Sequence, residues 1–267
     1  MQRFWEANPL YAGESEFAPG TREYFEDHLK VTLREYGGRI PSIFTAGVGQ
    51  GVEVLDVGCG IGFWLHQFCP LGAKVTACDI THRGVMITRR RAELYGFQAV
   101  VMQGNAERLP FADSSFDHVN CQGVIHHTPD TAACINEFVR VLRPGGTVCF
   151  SVYYRSLLLR SRLLFSLVTF LLRGIVRLKG RGRESMLRAA NPEELVRMYD
   201  GAENPLGKSY TRADIQALVE KQLAVLDVRR YCFPRRAFPF AIPDTLHRIL
   251  SRWFGLMIVF RCRKVAS

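Results

Sequence analysis

Between Ser156 and Arg183 the chain holds no aspartate or glutamate. Acids are sparse throughout that half: residues 151–267 carry 22 Lys and Arg against 9 Asp and Glu, whereas residues 1–150 carry 13 against 16. The net charge of +10 therefore sits in the C-terminal half. Such a bias suits an anionic partner (nucleic acid, a phospholipid surface or an acidic substrate) and equally suits plain solubility. No CxxC pair occurs among the eight cysteines, so neither a thioredoxin-type redox motif nor a zinc ribbon is written here. Most of them lie in apolar runs and read as buried thiols of a reducing compartment. No metal-ligand spacing is evident. The longest uncharged stretch of the basic segment, Leu163–Leu172, is far below the roughly 20 residues that span a bilayer. The N-terminus, MQRFWEANPLYAGESEF, has no apolar h-region, which reads as no secretory signal and a cytoplasmic location. There is no internal repeat and no low-complexity tract.

What is present is a rhythm. With 267 residues, 48% of them hydrophobic, the chain can bury one full-sized α/β core. From Gly51 onward, short β-branched runs alternate with helical patterns. VEVLDV reads as a buried strand, FWLHQFC as a helix and KVTACD as a second strand. RGVMITRRRAELYGF reads as a helix stopped by Gly96, QAVVMQGNA and FDHVNCQG as two more strands. Asp130 is placed to cap TAACINEFVRVL, which stops at RPGG before the fifth strand, TVCFSVYY. TRADIQALVEKQ opens on a Thr211/Asp214 capping box; LAVLDVRRYCF and GLMIVFRCRK read as closing strands joined by a proline-rich surface linker, PRRAFPFAIPD. Alternation of this kind predicts a mostly parallel sheet of βαβ units, helices on both faces.

The stretch VLDVGCGIG carries the chemistry. Its glycines, Gly58, Gly60 and Gly62, fall at every second position, and Phe63 stands where a dinucleotide fingerprint needs its third glycine. NAD therefore fails on spacing. A strand-ending acid followed by GxGxG suits a ligand with an amino-acid end: Asp56 faces an ammonium and backbone N–H groups meet a carboxylate. S-Adenosylmethionine (SAM) carries both. Asp79 ends the second strand, where an acid accepts hydrogen bonds from ribose hydroxyls.

VLDVGCGIG, ACD at Asp79, GNAERLPFADSSFD, GVIHH and RVLRPGG together resemble the ordered motifs of class I SAM-dependent methyltransferases. The likeness is to the branch that includes ubiquinone- and menaquinone-type small-molecule methyltransferases. It is dense over Gly51–Val152, weak over the final strands and silent on 1–45 and 156–204. It implies a Rossmann-like, seven-stranded sheet with one C-terminal antiparallel strand. It further implies that Asp56, Gly58, Cys59, Gly60 and Gly62 hold the methionine end and Asp79 the ribose. Ile80 would pack on the adenine, Asn105 and Ala106 (where relatives have Asp-Ala) would meet its amino group, and Gln122 and Gly123 would lie beneath the sulfonium.

For the acceptor, His126 and His127 follow the fourth strand, and either suits a general base for a hydroxyl; the alternative is that HHTPD caps the next helix. No NPPY-type motif follows that strand, and the double-glutamate loop of protein arginine methyltransferases is absent, which weighs against DNA-adenine and protein-arginine acceptors. Tyr11, Tyr153, Tyr199 and Tyr210 are candidate acceptor-pocket residues. The segment SRLLFSLVTFLLRGIVR spaces Arg162, Ser166, Thr169, Arg173 and Arg177 along one stripe of a greasy helix. It reads either as a roof over the acceptor or as an interfacial helix on an anionic membrane through 156–183. The expected organisation is an N-terminal helical lid (1–50), a SAM-binding core (51–155), an acceptor-side insertion (156–204) and the rest of the sheet (205–267). The expected activity is methyl transfer to a small hydrophobic acceptor. RNA methylation through the basic half, or a non-catalytic SAM-binding subunit, are the rivals.

Overall fold

The computed structural model describes residues 1–156, 161–173, 175–176 and 183–265. Its strands are β1 (Glu53–Val57), β2 (Lys74–Asp79), β3 (Ala99–Gln103), β4 (Phe116–Gln122), β5 (Leu142–Tyr154), β6 (Ser209–Tyr210), β7 (Leu223–Tyr231) and β8 (Met257–Lys264). They form one sheet in the order β3-β2-β1-β4-β5-β8-β7, and the two-residue β6 pairs beside β5. Only β8 runs antiparallel, inserted between β5 and β7. The expected seven strands are all present, and β6 is an addition too short to carry a period-2 signal.

The helices follow their caps. The helix α1 spans Gln2–Ala7 and α2 Arg22–Glu35; α3 (Phe63–Phe68) follows β1, and α4 (His82–Tyr95) follows β2. Thr81 caps α4 on the Gly84 N–H, and Gly96, in the left-handed region, ends it. Asp130 caps α5 (Thr131–Val141), and the Thr211/Asp214 box opens α8 (Arg212–Val219), both as the sequence predicts. Between them lie α6 (Arg162–Leu172) and α7 (Pro192–Met198). The proline-rich linker ends at Pro243, and the chain then forms α9 (Asp244–Phe254), a helix the sequence reading leaves unassigned. No helix among the described residues is long and apolar enough to cross a membrane.

Alternation along β5 and β8 splits the core. Phe150 and Phe260 point into a cluster with Leu55, Val119, Phe138 and Ile215 on one face. Cys149 and Val259, their neighbours, point into Phe44, Trp64, Phe68 and Val75 on the other. The cysteines are free thiols, six of them buried. The strand order reverses between β1 and β4, both parallel, so a crevice opens at their carboxyl ends. The loops after β1, β2, β4 and β5 all meet there.

The insertion departs from expectation. Along α6, Phe165 and Thr169 are buried, while Leu163 is 85% and Phe170 69% exposed. The Thr169 hydroxyl satisfies itself on the Phe165 carbonyl, which lets a polar residue face inward. Among the described residues none of α6 lines the crevice, where the insertion is represented by Tyr199 and Asp200, and Phe165 of the helix packs with Met186, Ala189, Met198 and Ala237. Arg177 and the side chain of Arg162 lie outside what is described. Arg183 reaches the N-terminal segment through a buried ion pair with Glu14 at 3.0 Å.

Candidate functional site

The crevice holds a cavity of about 360 Å³ that runs from the β1 loop to the end of β5. Gly58, Cys59, Gly60, Asp79, Ile80, Asn105, Ala106, Gln122 and Gly123 line it, as do His126, His127, Tyr11, Tyr153 and Tyr199. Three candidates do not. Tyr210 faces away and hydrogen-bonds the Thr131 hydroxyl at 2.7 Å. Gly62 is the N-cap of α3 at φ 75°, and a Cβ there would meet Thr88 and Arg91, so it serves helix packing. Asp56 is buried beneath the loop, because in the parallel register its side chain lies against Asn120 of β4 and not at the strand end.

Asp56 still reaches the cavity indirectly. Its Oδ1 accepts from Asn120 Nδ2 at 2.7 Å, and Asn120 Oδ1 accepts from Gln122 Nε2 at 3.0 Å. Gln122 thereby holds its amide oriented on the cavity wall, with Oε1 buried and unpartnered among the described residues. Burial raises the Asp56 carboxyl to about 7, with the nearby Asp79 charge adding to the rise and the Asn120 bond opposing it.

The glycine loop is shaped for close approach. Gly58 has φ 72°, and a Cβ on it would lie 2.2 Å from Val124 Cγ2, so no side chain fits. Gly60 N–H donates to Asp79 Oδ2 at 2.9 Å, which joins the loop to the second strand end. Asp79 Oδ1 is taken by the backbone and hydroxyl of Thr81, leaving Oδ2 as the oxygen with capacity for a ligand. Asn105 Oδ1 accepts from the Glu107 N–H, so its amide nitrogen is the free end, the reverse of the polarity expected from sequence. The orphaned Gln122 oxygen and Asp79 Oδ2 are acceptors beside a side-chain-free glycine loop. Those features fit the ammonium and ribose hydroxyls of SAM.

At the other end, four side chains from three segments converge. His127 Nδ1–H donates to the Leu206 carbonyl at 2.7 Å, and its Nε2 lies 2.9 Å from Asp200 Oδ2. The Tyr153 hydroxyl, at the end of β5, donates to the same Asp200 oxygen. The His126 ring lies tilted against both His127 and Tyr153, with centroids 4.2 Å away in each case, and its Nδ1 is buried without a partner among the described residues. Burial, reinforced by His127, holds His126 well below the usual imidazole range and keeps it neutral. Ligand atoms of His126, His127 and Asp200 lie within 4.8 Å of one another, near enough to share a metal ion, a grouping no sequence spacing announced. Asp200 is already satisfied by His127 and Tyr153, so the cluster is complete as a proton network.

The N-terminal segment closes the cavity. Trp5 stands edge-on to His127 at 5.1 Å, and Met1, Leu10 and Tyr11 complete that wall. Glu6 fixes α1 there by accepting from the His82 and Arg83 N–H groups at the start of α4, both at 2.9 Å. Glu6, Asn120 and Thr81 were not among the expected site residues. Of these only Thr81 had a signal, as a capping threonine two residues after Asp79.

Comparison with known proteins agrees with this geometry. A family model described as "Methyltransferase domain" matches residues 55–150. An uncharacterized protein of Mycobacterium tuberculosis (strain ATCC 25618 / H37Rv) is 39% identical over 106 residues, 40% of this chain and 39% of its own. The ubiquinone biosynthesis O-methyltransferase of Idiomarina loihiensis is 32% identical over 156 residues, 57% of this chain and 61% of its own. The chain thus spans under two thirds of the length of these relatives. Among solved structures, a SAM-dependent methyltransferase from Methanosarcina mazei superposes with a TM-score of 0.59 at 19% identity, covering 85% of this chain and 99% of that one. Residues 55–150 therefore match a methyltransferase domain, and the chain shares its fold with the SAM-dependent methyltransferase from Methanosarcina mazei.

Proposed function

We propose that this protein transfers a methyl group from SAM to a hydroxyl of a small hydrophobic acceptor. The observation that carries the reading is one cavity joining the glycine loop to the His126–His127–Tyr153–Asp200 cluster, with a wall that is mostly apolar and aromatic and includes Glu14 and Glu35. The name of the Idiomarina relative supports oxygen as the methylated atom. Bound SAM supplies the methyl group on a sulfonium whose departure needs no acid. The protein's work is then alignment and removal of one proton. The Gly58–Gly60 loop, Gln122 and Asp79 hold the cofactor. His126, neutral and with Nδ1 unpartnered among the described residues, would take the hydroxyl proton of the acceptor. SAM, when bound, would supply the methyl group and keep the C–S electron pair on sulfur, leaving as S-adenosylhomocysteine. Asp200, held by Tyr153, fixes the His127 ring against which His126 lies tilted, and Trp5 with the N-terminal wall keeps water out.

The test is transfer of radiolabel from methyl-labelled SAM to a panel of phenols and aliphatic alcohols. Tight SAM binding with no turnover on any acceptor would favour a non-catalytic SAM-binding subunit instead. Peripheral contact with an anionic membrane is part of the same proposal: the outward Leu163, Leu167, Phe170 and Leu171 of α6, in a stretch free of acids, suit an interfacial position that delivers a greasy acceptor. Nucleic acid is the weaker reading, because the cavity is capped by the N-terminal segment and lined by few charges.

A further inference from the structure

A second cavity, about 1160 Å³, adjoins the first, and Glu35, Tyr36 and Tyr231 line both. The Tyr36 and Tyr231 rings meet edge to face at 5.9 Å, so the common wall is aromatic. Beyond it the chemistry changes. Arg39, Arg212, Arg229, Arg230, Arg248 and Arg252 line the second cavity against two carboxylates, Glu35 and Asp227. They come from four places in the fold: the segment after α2, the first turn of α8, β7 and α9.

Few of these guanidiniums are neutralised from within. Arg229 pairs with Asp227 at 2.9 Å, and Arg230 lies over the Tyr154 ring. Among the described residues, Arg39, Arg212 and Arg252 make no ion pair, and all three are exposed. Arg248 and Arg252 stand four residues apart on one helix, where like charges repel. Such a concentration is favourable when an anion with several oxygens bridges it, since guanidinium groups present planar forks of N–H donors. A wall shared with an apolar reaction cavity limits what that anion is attached to.

We propose that the arginine groove binds the phosphate end of the methyl acceptor, an amphiphile whose apolar part occupies the reaction cavity. This rests on the methyl-transfer reading above and narrows its substrate class to phosphate-bearing hydrophobic molecules. The test uses the full chain saturated with S-adenosylhomocysteine and three probes below any micelle-forming concentration: decyl phosphate, decanol and inorganic phosphate. Decyl phosphate should bind about tenfold or more tightly than decanol, because bonds to charged groups are the strong ones. Inorganic phosphate should compete with it, and rising salt should erase the advantage. The triple substitution Arg39→Gln, Arg212→Gln, Arg252→Gln should remove the preference while leaving decanol and S-adenosylhomocysteine binding intact. Equal affinity for decyl phosphate and decanol in the unaltered protein, or a preference that survives the triple change, overturns the proposal. So does binding of anionic vesicles or RNA through these arginines without any preference for decyl phosphate. Failure to bind S-adenosylhomocysteine would instead count against the methyl-transfer reading itself.

Discussion

His127 and Asp200 stand 2.9 Å apart although 73 positions separate them in the chain. Both nitrogens of His127 are thereby committed, one to the Leu206 carbonyl and one to Asp200. Its neighbour His126 keeps a free nitrogen. Two adjacent histidines have thus been given different work.

That division predicts different losses. His126→Ala should lower turnover about 10²-fold or more with SAM affinity unchanged, as expected for loss of a general base. His127→Ala and Asp200→Asn should act together, each loosening the same contact. Their double variant should be little worse than either alone, and additive losses in a double-mutant cycle would refute the pairing.

The pH profile carries the sign of the His126 shift. Burial lowers its affinity for protons, so the base stays neutral well below the ordinary histidine range near 6.5. The acidic limb of kcat should accordingly lie below the ordinary histidine range. A limb centred at 6.5 or above would assign the base elsewhere.

Asp79 accepts from the Gly60 N–H and so ties the glycine loop to the end of β2. Asp79→Ala should raise the dissociation constant for SAM by about tenfold or more, since one charge-assisted acceptor is lost and the loop is released. Calorimetry that finds an unchanged affinity would sink the ribose assignment.

Asp56 gives a stability test without any substrate. Its carboxyl is raised from 3.8 to about 7 in the folded protein, so between those values the native state keeps a proton the unfolded chain has released. The Asp56 contribution to stability therefore falls as pH rises from about 4 to about 7 and is level above that. Asp56→Asn removes the titration, so Tm of the variant relative to the unaltered protein should climb across the same window. A difference that does not vary with pH would contradict the buried, partly orphaned carboxylate.

Leu167 and Phe170 test the membrane contact. Both project into solvent from α6, so changing both to Gln should leave Tm nearly unchanged while reducing co-sedimentation with anionic vesicles. If the unaltered protein ignores such vesicles at low salt, the interfacial reading is wrong.

The strands and most helices were legible because their causes are local. Asp130, Thr211 and Gly96 act on backbone groups within four residues, and the β-branched runs of β1 and β2 are buried on both faces. That the glycine loop and Asp79 share one crevice was legible for the same reason, since a strand end, a glycine turn and the next strand end lie in fixed sequence order. Helix α9 was missed although Leu246, Ile249 and Trp253 recur at helical spacing, because the prolines ahead of it read as a surface linker; in the structure that stripe stays exposed. The orientation of α6 stayed open because a greasy helix with spaced arginines does not say which side meets the core; the buried Phe165 and Thr169 decide that.

Sequence by itself determined that a GxGxG turn follows a buried acidic strand, and hence what kind of cofactor the crevice takes. Only the tertiary structure decided that Asp56 acts through Asn120 and Gln122, that Asp200 and Tyr153 hold His127, and that an arginine groove backs onto the reaction cavity. The first kind of information is carried by neighbours along the chain. The second needs segments far apart in sequence to be brought together, and that is the work of the packed sheet.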